Sequence, residues 1–367
     1  MGAAPEVESE DGFSFKPFGR LMFDAGLSAL PASSGLEDGF GQELRRARLG
    51  VEGDIPGGFG YKLELDFAGN EVEITDAIVT YDAGSVDVTL GQHNGFQSLE
   101  ELTSSRFSSF IERAAFTDAF GFERRLGISA QYGAGDVLVQ GGLFTSNIDD
   151  LPDDSWSVDG RAVYAPKLGD TQLHFGSSLH YRELESPTSV RYRQRPLVHF
   201  TSTRLIDTGT IGAQSEFGAG LELAAISGPF HVAAEGYRQQ VSRRHGLDDV
   251  AFKGGYIEAG MFLTPGDSRG YRGGRFNRTR PTNPVGEGGI GAVQVNLRYD
   301  YLDLNDGPIA GGTQNGLFAS LIWTTTDFTR LQLNYGRLEY DNAAVAVGNG
   351  LRDYSADVIG MRAELDF

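Results

Sequence analysis

The chain has 367 residues, a formal charge of −19 and no cysteine, and it is rich in glycine, phenylalanine and tyrosine. That acidity excludes a nucleic-acid binder, whose footprint is a basic surface, and the missing thiols exclude a disulfide framework and a cysteine metal site. No run approaches the roughly 18 apolar residues of a spanning helix, so a membrane position would require a barrel of strands.

The first residues, MGAAPEVESEDG, lack the apolar core of a signal peptide. The chain is therefore cytosolic or has lost a leader, and the second reading is adopted here. Residues 1–12 are expected to form an N-terminal extension and residues 13–367 a single barrel domain. From Phe15 onward Leu21, Phe23, Ala25 and Leu27 alternate with Arg20 and Asp24. Next, Ala47, Leu49 and Val51 alternate with Arg46, Arg48 and Glu52, and Tyr61, Leu63, Leu65 and Phe67 with Lys62, Glu64 and Asp66. This period of two is that of strands with one apolar and one charged face.

A soluble sandwich would alternate in the same way, and the connections decide between the two. Tight linkers at 55–58, 82–85, 133–136, 167–170, 227–229 and 324–327 take turns with longer polar ones at 28–41, 92–122, 146–156, 182–214, 243–250, 304–316 and 342–354. Two exceptions break the order, a short link at 68–71 and a long one at 264–288. The pattern predicts an all-β, antiparallel transmembrane barrel of about sixteen strands, with brief periplasmic turns and long external loops. The final amphipathic strand, Ile359 to Phe367, ends on an aromatic residue, as outer-membrane barrels do.

The stretch Gln92–Phe122, after the fifth strand, reads differently. Ser98 and Glu101 have the spacing of a capping box, and Phe107, Phe110, Ile111 and Ala114 recur at helical period. A helical insert in an all-strand chain is expected to fold into the barrel and narrow it.

Lysine occurs at only four positions, and arginine supplies the other cations in clusters. Arg45, Arg46 and Arg48 sit on the second strand, with Arg46 and Arg48 on its charged face. Arg191, Arg193 and Arg195 alternate in an extended stretch and project to one side, flanked by Arg182 and Arg204. Rows of cations repel unless anions pass between them, which reads as an anion path. The other reading is solvated arginines paired with carboxylates or lipopolysaccharide. Arg269, Arg272, Arg275, Arg278 and Arg280, in the long periplasmic-side connection, either gather anions or form a flexible basic loop, the second being favoured. The six histidines show no metal-ligand spacing, and no serine elbow stands between strand and helix, so neither an enzyme nor a cofactor is expected.

The strings RRARLGVEGDIPGGFGYKLELDFAGN, VTLGQHNGFQSLEELTSSRFSSFIERA, RLIDTGTI and YIEAGMFLTPGDSRGYR resemble the phosphate-selective porin family of Gram-negative outer membranes. The resemblance implies a trimer of sixteen-stranded barrels whose insert narrows the lumen and whose arginines lead anions to a constriction. By that likeness Arg45 and Arg46 match the family's paired arginines, Arg191, Arg193 and Arg195 its ladder, and Asp76 its strand-four acid. The insert departs from the family where GQHNGFQS replaces a lysine-containing run. Lys62, Arg106 and Arg113 are then the constriction cations, opposed by Glu100, Glu101 and Glu112. The expected function is a passive channel for small anions, phosphate among them, with lipid, lipopolysaccharide and two further copies of the chain as partners. The alternatives are a general or cation-preferring pore, and a structural outer-membrane protein with a plugged lumen.

Overall fold

The computed structural model describes residues 6–31, 35, 39–69, 71–151 and 153–367. Residues 1–5 of the predicted extension, 32–34 and 36–38 of the first predicted loop, Asn70 of the short link and Pro152 lie outside the described residues.

The barrel strands, in chain order, begin with β1 (Ser14–Ala29), β2 (Gly39–Ile55), β3 (Phe59–Asp66), β4 (Glu73–Asp82), β5 (Val86–Asn94) and β6 (Arg124–Ala134). They continue through β7 (Val137–Phe144), β8 (Trp156–Tyr164), β9 (Thr171–Glu183), β10 (Ile211–Ser227) and β11 (Phe230–Arg243). The last five are β12 (Val250–Phe262), β13 (Ala292–Asp306), β14 (Ile309–Thr324), β15 (Thr329–Asp341) and β16 (Tyr354–Asp366). Each pairs antiparallel with its neighbours, and β16 closes on β1, with Arg20 opposite Asp366 and Ala29 opposite Asp357. Closure leaves no strand edge to be satisfied, which is what hydrocarbon demands of a sheet.

Burial is inverted relative to a soluble protein. Leu21, Phe23 and Leu27 of β1 are exposed while Arg20, Asp24 and Ser28 between them are buried, and β16 likewise exposes Ile359, Met361 and Leu365. An apolar outer band around a polar interior is the pattern of a barrel in lipid. Tyr164, Phe230 and Trp323 rim this band toward the tight turns, and Trp156, Tyr299 and Tyr335 lie toward the long connections. The β2–β3 turn needs Gly57 and Gly58, both at positive φ. One expected long connection is short: β13 and β14 run on to Asp306 and from Ile309, joined only by Gly307 and Pro308.

Two bulges re-aim side chains into the lumen. In β2, Met22 faces Arg46 but Phe23 faces Leu44, so Arg45 is the extra residue. In β4, Glu64 faces Asp76 and Leu65 faces Ile74, which leaves Thr75 over. A bulge shifts the strand's parity, so Arg45 and Arg46 both turn inward although strict alternation puts them on opposite faces.

The insert after β5 enters the lumen, with α1 (Leu99–Leu102), a 3-10 turn at Ser105–Phe107 and α2 (Ala115–Ala119). The Ser98 hydroxyl accepts from the Glu101 N–H as expected, but the stretch 108–114 is not helical. Ser108 Oγ lies within hydrogen-bond reach of the Ser105 and Phe110 carbonyls of its own segment, and Ser109 Oγ donates to Glu258 of the wall at 2.6 Å. The barrel wall satisfies the rest: Asn334 accepts from the Ile111 N–H at 2.8 Å and Asp300 from the Ala115 N–H at 3.0 Å. Phe110, Ile111 and Ala114 are nonetheless buried, against the wall instead of within a helix.

Two other connections turn inward. The segment between β9 and β10 crosses the mouth, with the His199 ring 2.8 Å from Glu43 of β2 and the Ala344 N–H donating to the Leu205 carbonyl at 2.7 Å. The segment between β12 and β13 is not a loose basic loop. It forms a hairpin, Gly270–Arg272 with Arg275–Asn277, whose tip reaches β8, where Arg161 Nη2 donates to the Gly274 carbonyl at 2.8 Å.

Candidate functional site

The insert is fixed to one wall of the barrel. Phe116 stacks on Tyr237 and Tyr256, and Phe110 meets Phe318. The Glu235 carboxylate accepts from the N–H groups of Leu99 and Glu100 at 2.9 and 2.7 Å, capping the start of α1. Arg298, fully buried, bridges Glu100 at 2.7 Å and Glu258 at 2.6 Å and lies over Phe110 and Tyr256. Arg269 of the β12–β13 segment donates to Glu258 at 2.8 Å and stacks on Phe276, which ties the hairpin beneath the insert.

The opposite wall, β1 to β6, faces the free edge of the insert. Glu64 takes Arg20 at 3.0 Å and Arg48 at 2.9 Å, and Arg48 also reaches Asp66 at 2.7 Å. Asp76 takes Lys62 at 2.6 Å and Arg124 at 2.8 Å. Arg46 makes no ion pair among the described residues, and its one side-chain contact of this kind is with Met22 Sδ at 3.8 Å. Four cations (Arg20, Arg48, Lys62 and Arg124) therefore share three carboxylates (Glu64, Asp66 and Asp76) on this wall, and Arg46 stands beside them without an ion pair among the described residues. A cavity of about 250 Å³ opens between Arg46, the insert and the β9–β10 segment, and a second of about 510 Å³ lies toward the tight turns, lined by Thr89, Ser129 and Gln131.

The candidates named from sequence sort into three positions. Arg45, Arg46, Arg48, Lys62 and Asp76 come together on the charged wall, Arg45 held by Glu112 at 2.8 Å. Arg113 and Arg106 brace the insert. Arg113 donates to the carbonyls of Glu100, Glu101 and Thr103 at the end of α1 and pairs with Glu101 at 3.2 Å. Arg106 turns away to Asp366 at 3.3 Å. Arg191, Arg193 and Arg195 share one face of their short extended stretch, opposite buried Tyr192 and Gln194. Arg191 is held by Asp207 at 2.8 Å, Arg195 donates to the Thr201 carbonyl at 3.1 Å, and Arg204 to that of Ser202 at 3.3 Å. Arg182 belongs to β9, not to the loop. Arg20, Arg124, Arg298 and Arg362 escaped the sequence reading, because alternation tells which way a residue points but not which partner it meets.

In the loops, burial and then the neighbouring Arg195 and Arg193 pull the Arg204 guanidinium down to about 10. Burial raises the Glu101 and Asp118 carboxyls. Burial also acts to raise Glu112, but Arg45 and Arg362 outweigh it and hold that carboxyl below the usual range. The charges at the mouth therefore differ in how easily they are neutralised.

The sequence matches the family described as phosphate-selective porin O and P over residues 19–367. It is 51% identical over 380 residues to an uncharacterized protein of Caulobacter vibrioides, covering 99% of this chain and 76% of that one. It is 26% identical over 351 residues to Porin O of Pseudomonas aeruginosa, covering 85% of this chain and 78% of that one. The anion-selective porin from Comamonas acidovorans shares the fold with a TM-score of 0.61 at 15% identity, over 97% of this chain and 100% of that one. The closed sixteen-stranded barrel, its apolar outer band and the family match together place the protein in the bacterial outer membrane as a porin, a channel fold and not that of an enzyme. The chain belongs to the phosphate-selective porin O and P family.

Proposed function

We propose that the protein is a passive channel for small anions, phosphate among them, and that solutes move along the β1–β6 wall past Arg46. The observation that carries this reading is Arg46 itself: an arginine only 9% exposed, without a carboxylate partner among the described residues, lining the 250 Å³ cavity. A buried charge is costly unless something of opposite sign compensates it, and a transient anion does so without blocking the path. Arg193, Arg195 and Arg204 gather anions at the mouth, and Arg48, Lys62, Asp76 and Arg124 form the charged surface below. Because Asp76, Glu64 and Asp66 neutralise most of that surface, an anion is held weakly enough to leave. Arg106 and Arg113 keep the insert in shape. The membrane lipid and lipopolysaccharide surround the barrel, and family resemblance supports a homotrimer.

A second reading, a general or cation-preferring pore, is favoured by Glu101, Glu123 and Asp118 around the same cavity. Phosphate titrated into chloride on a planar bilayer separates the two. The anion path predicts that phosphate lowers the chloride current and that Arg46→Gln removes most of this block. Chloride current indifferent to phosphate in the unaltered protein rules phosphate binding out.

A further inference from the structure

Three glycines stand side by side on the inner face of the wall where the barrel closes. Gly41 of β2 is opposite Gly26 of β1, and Gly26 is opposite Gly360 of β16. Each belongs to the inward-facing set of its strand, two residues from Glu43, Asp24 and Arg362 respectively.

The in-folded chain rests directly on this row. A Cβ built on Gly41 would run into the Phe200 ring, and the atoms nearest to it all belong to that ring. One on Gly26 would lie 3.0 Å from Phe200 Cε1 and would also meet the Ile359 carbonyl. One on Gly360 would run into Ile111 Cδ1 of the insert and lie 3.4 Å from Val198 Cγ1 of the β9–β10 segment. Phe200 therefore lies over Gly41 and Gly26, and the insert and the β9–β10 segment meet over Gly360. Glycine weakens a strand interior, and its use there marks a close approach to the backbone.

The β9–β10 segment is bent to reach the row. Leu197 has a φ of 62°, which a bulky side chain adopts only where the surrounding contacts hold it. Those contacts are present: Leu197 and Val198 are buried, and the His199 ring is held by Glu43, two residues from Gly41. Gln194, Arg195, Leu197, Val198 and His199 form one side of the 250 Å³ cavity that Arg46 and Ile111 also line. Where the segment rests decides how far Arg195 stands from Arg46.

We propose that Gly41 and Gly360 are positioning residues that determine the specificity of the channel. They act through Phe200, Val198 and Ile111, whose seat on bare backbone sets the width of the cavity between Arg46 and Arg195. Width matters because the pull of a guanidinium on an anion falls with distance and with intervening water. The inference rests on the anion-path reading for its effect on selectivity, whereas its effect on conductance is independent of that reading.

A double-mutant cycle between Gly41 and Phe200 tests this, read as single-channel conductance and as reversal potential in a potassium chloride gradient. Heat-modifiable migration on gels confirms closure of each barrel. Gly41→Ala is expected to lift the ring, raise the conductance and lower the chloride-to-potassium preference severalfold. Phe200→Ala, which only removes atoms, should do the same. With Phe200→Ala already in place, adding Gly41→Ala should change neither reading, because the ring its methyl would strike is gone. Gly236→Ala, whose Cβ meets nothing within 4 Å, should leave the channel unaltered. Equal effects of Gly41→Ala with and without the Phe200 ring would overturn the proposal. If Gly41→Ala yields no closed barrel, Phe200→Ala carries the test, and an unchanged conductance there overturns it. A conductance that rises as expected in a channel preferring potassium contradicts the anion path and leaves the glycine seat standing.

Discussion

The two walls of the lumen both bury charge, but they use it differently. On β11 to β15 several buried polar groups are committed to the insert: Glu235 caps α1, Asp300 and Asn334 accept from its backbone, and Arg298 locks Glu100 against Glu258. On β1 to β6 one cluster of cations, Arg20, Arg48, Lys62 and Arg124, shares Glu64, Asp66 and Asp76, and Arg46 stands beside a cavity with no carboxylate partner among the described residues. Charge that is saturated by protein groups holds a structure in place, whereas charge left unsaturated beside water is available to a solute. The same side-chain chemistry builds a fixed partition on one side and a path on the other.

Breaking the partition should have the largest effect. Arg298→Met leaves Glu100 and Glu258 buried without their shared cation, a change of the kind that costs about 3–5 kcal/mol. The expected result is a lower barrel melting temperature by circular dichroism and a larger, noisier single-channel conductance as the insert loosens. Phe116→Ala removes the ring stacked between Tyr237 and Tyr256 and should cost about 3 kcal/mol, read by the same melt. Arg46→Gln should separate the walls: melting stays level or rises, because an uncompensated buried charge is gone, while the chloride-to-potassium preference falls severalfold.

A smaller effect is expected from pH. Glu101 and Asp118, with raised carboxyls, take up protons first as pH falls, whereas Glu112 keeps its charge. Anion preference should therefore begin to rise above the ordinary carboxylate range as pH falls, measured as reversal potential. Glu112 has a folded-state pKa below its unfolded value, so the stability it supplies is complete above the ordinary carboxylate range. That stability is lost only as pH drops through the lower, folded-state value, and the Arg45 clamp should outlast the change in selectivity. The smallest effect belongs to Arg191→Gln: its exposed pair with Asp207 lies away from the charged wall, and neither melting nor selectivity should move.

The barrel was legible in the sequence because a period of two survives wherever one face meets lipid, as at Leu21, Phe23 and Leu27. What the period hides are its interruptions. Arg45 reads as outward until the bulge opposite Met22 and Phe23 turns it in, and the only trace in the sequence is that apolar Leu44 and Ala47 are three apart. The helical spacing of Phe107, Phe110, Ile111 and Ala114 reflects burial against the wall, since serine bonding and wall acceptors prevent a helix there. Arg269 and Arg278 read as a loose basic series because their partners, Glu258 and Asp366, lie far along the chain in one case and on a neighbouring strand's face in the other. Arg362 meets Asp24 because β16 closes on β1, whereas Arg20 meets Glu64, and Arg298 meets Glu258 and Glu100, through strand pairing and the infolded insert, none of which a local pattern encodes.

The most direct test of the central claim is the reversal potential of single channels in a potassium chloride gradient, for the unaltered protein and for Arg46→Gln. The two-wall account predicts a potential of the sign set by chloride, which moves toward zero in the variant while conductance persists. A potential of the sign set by potassium in the unaltered protein, or one unchanged by Arg46→Gln, would contradict it.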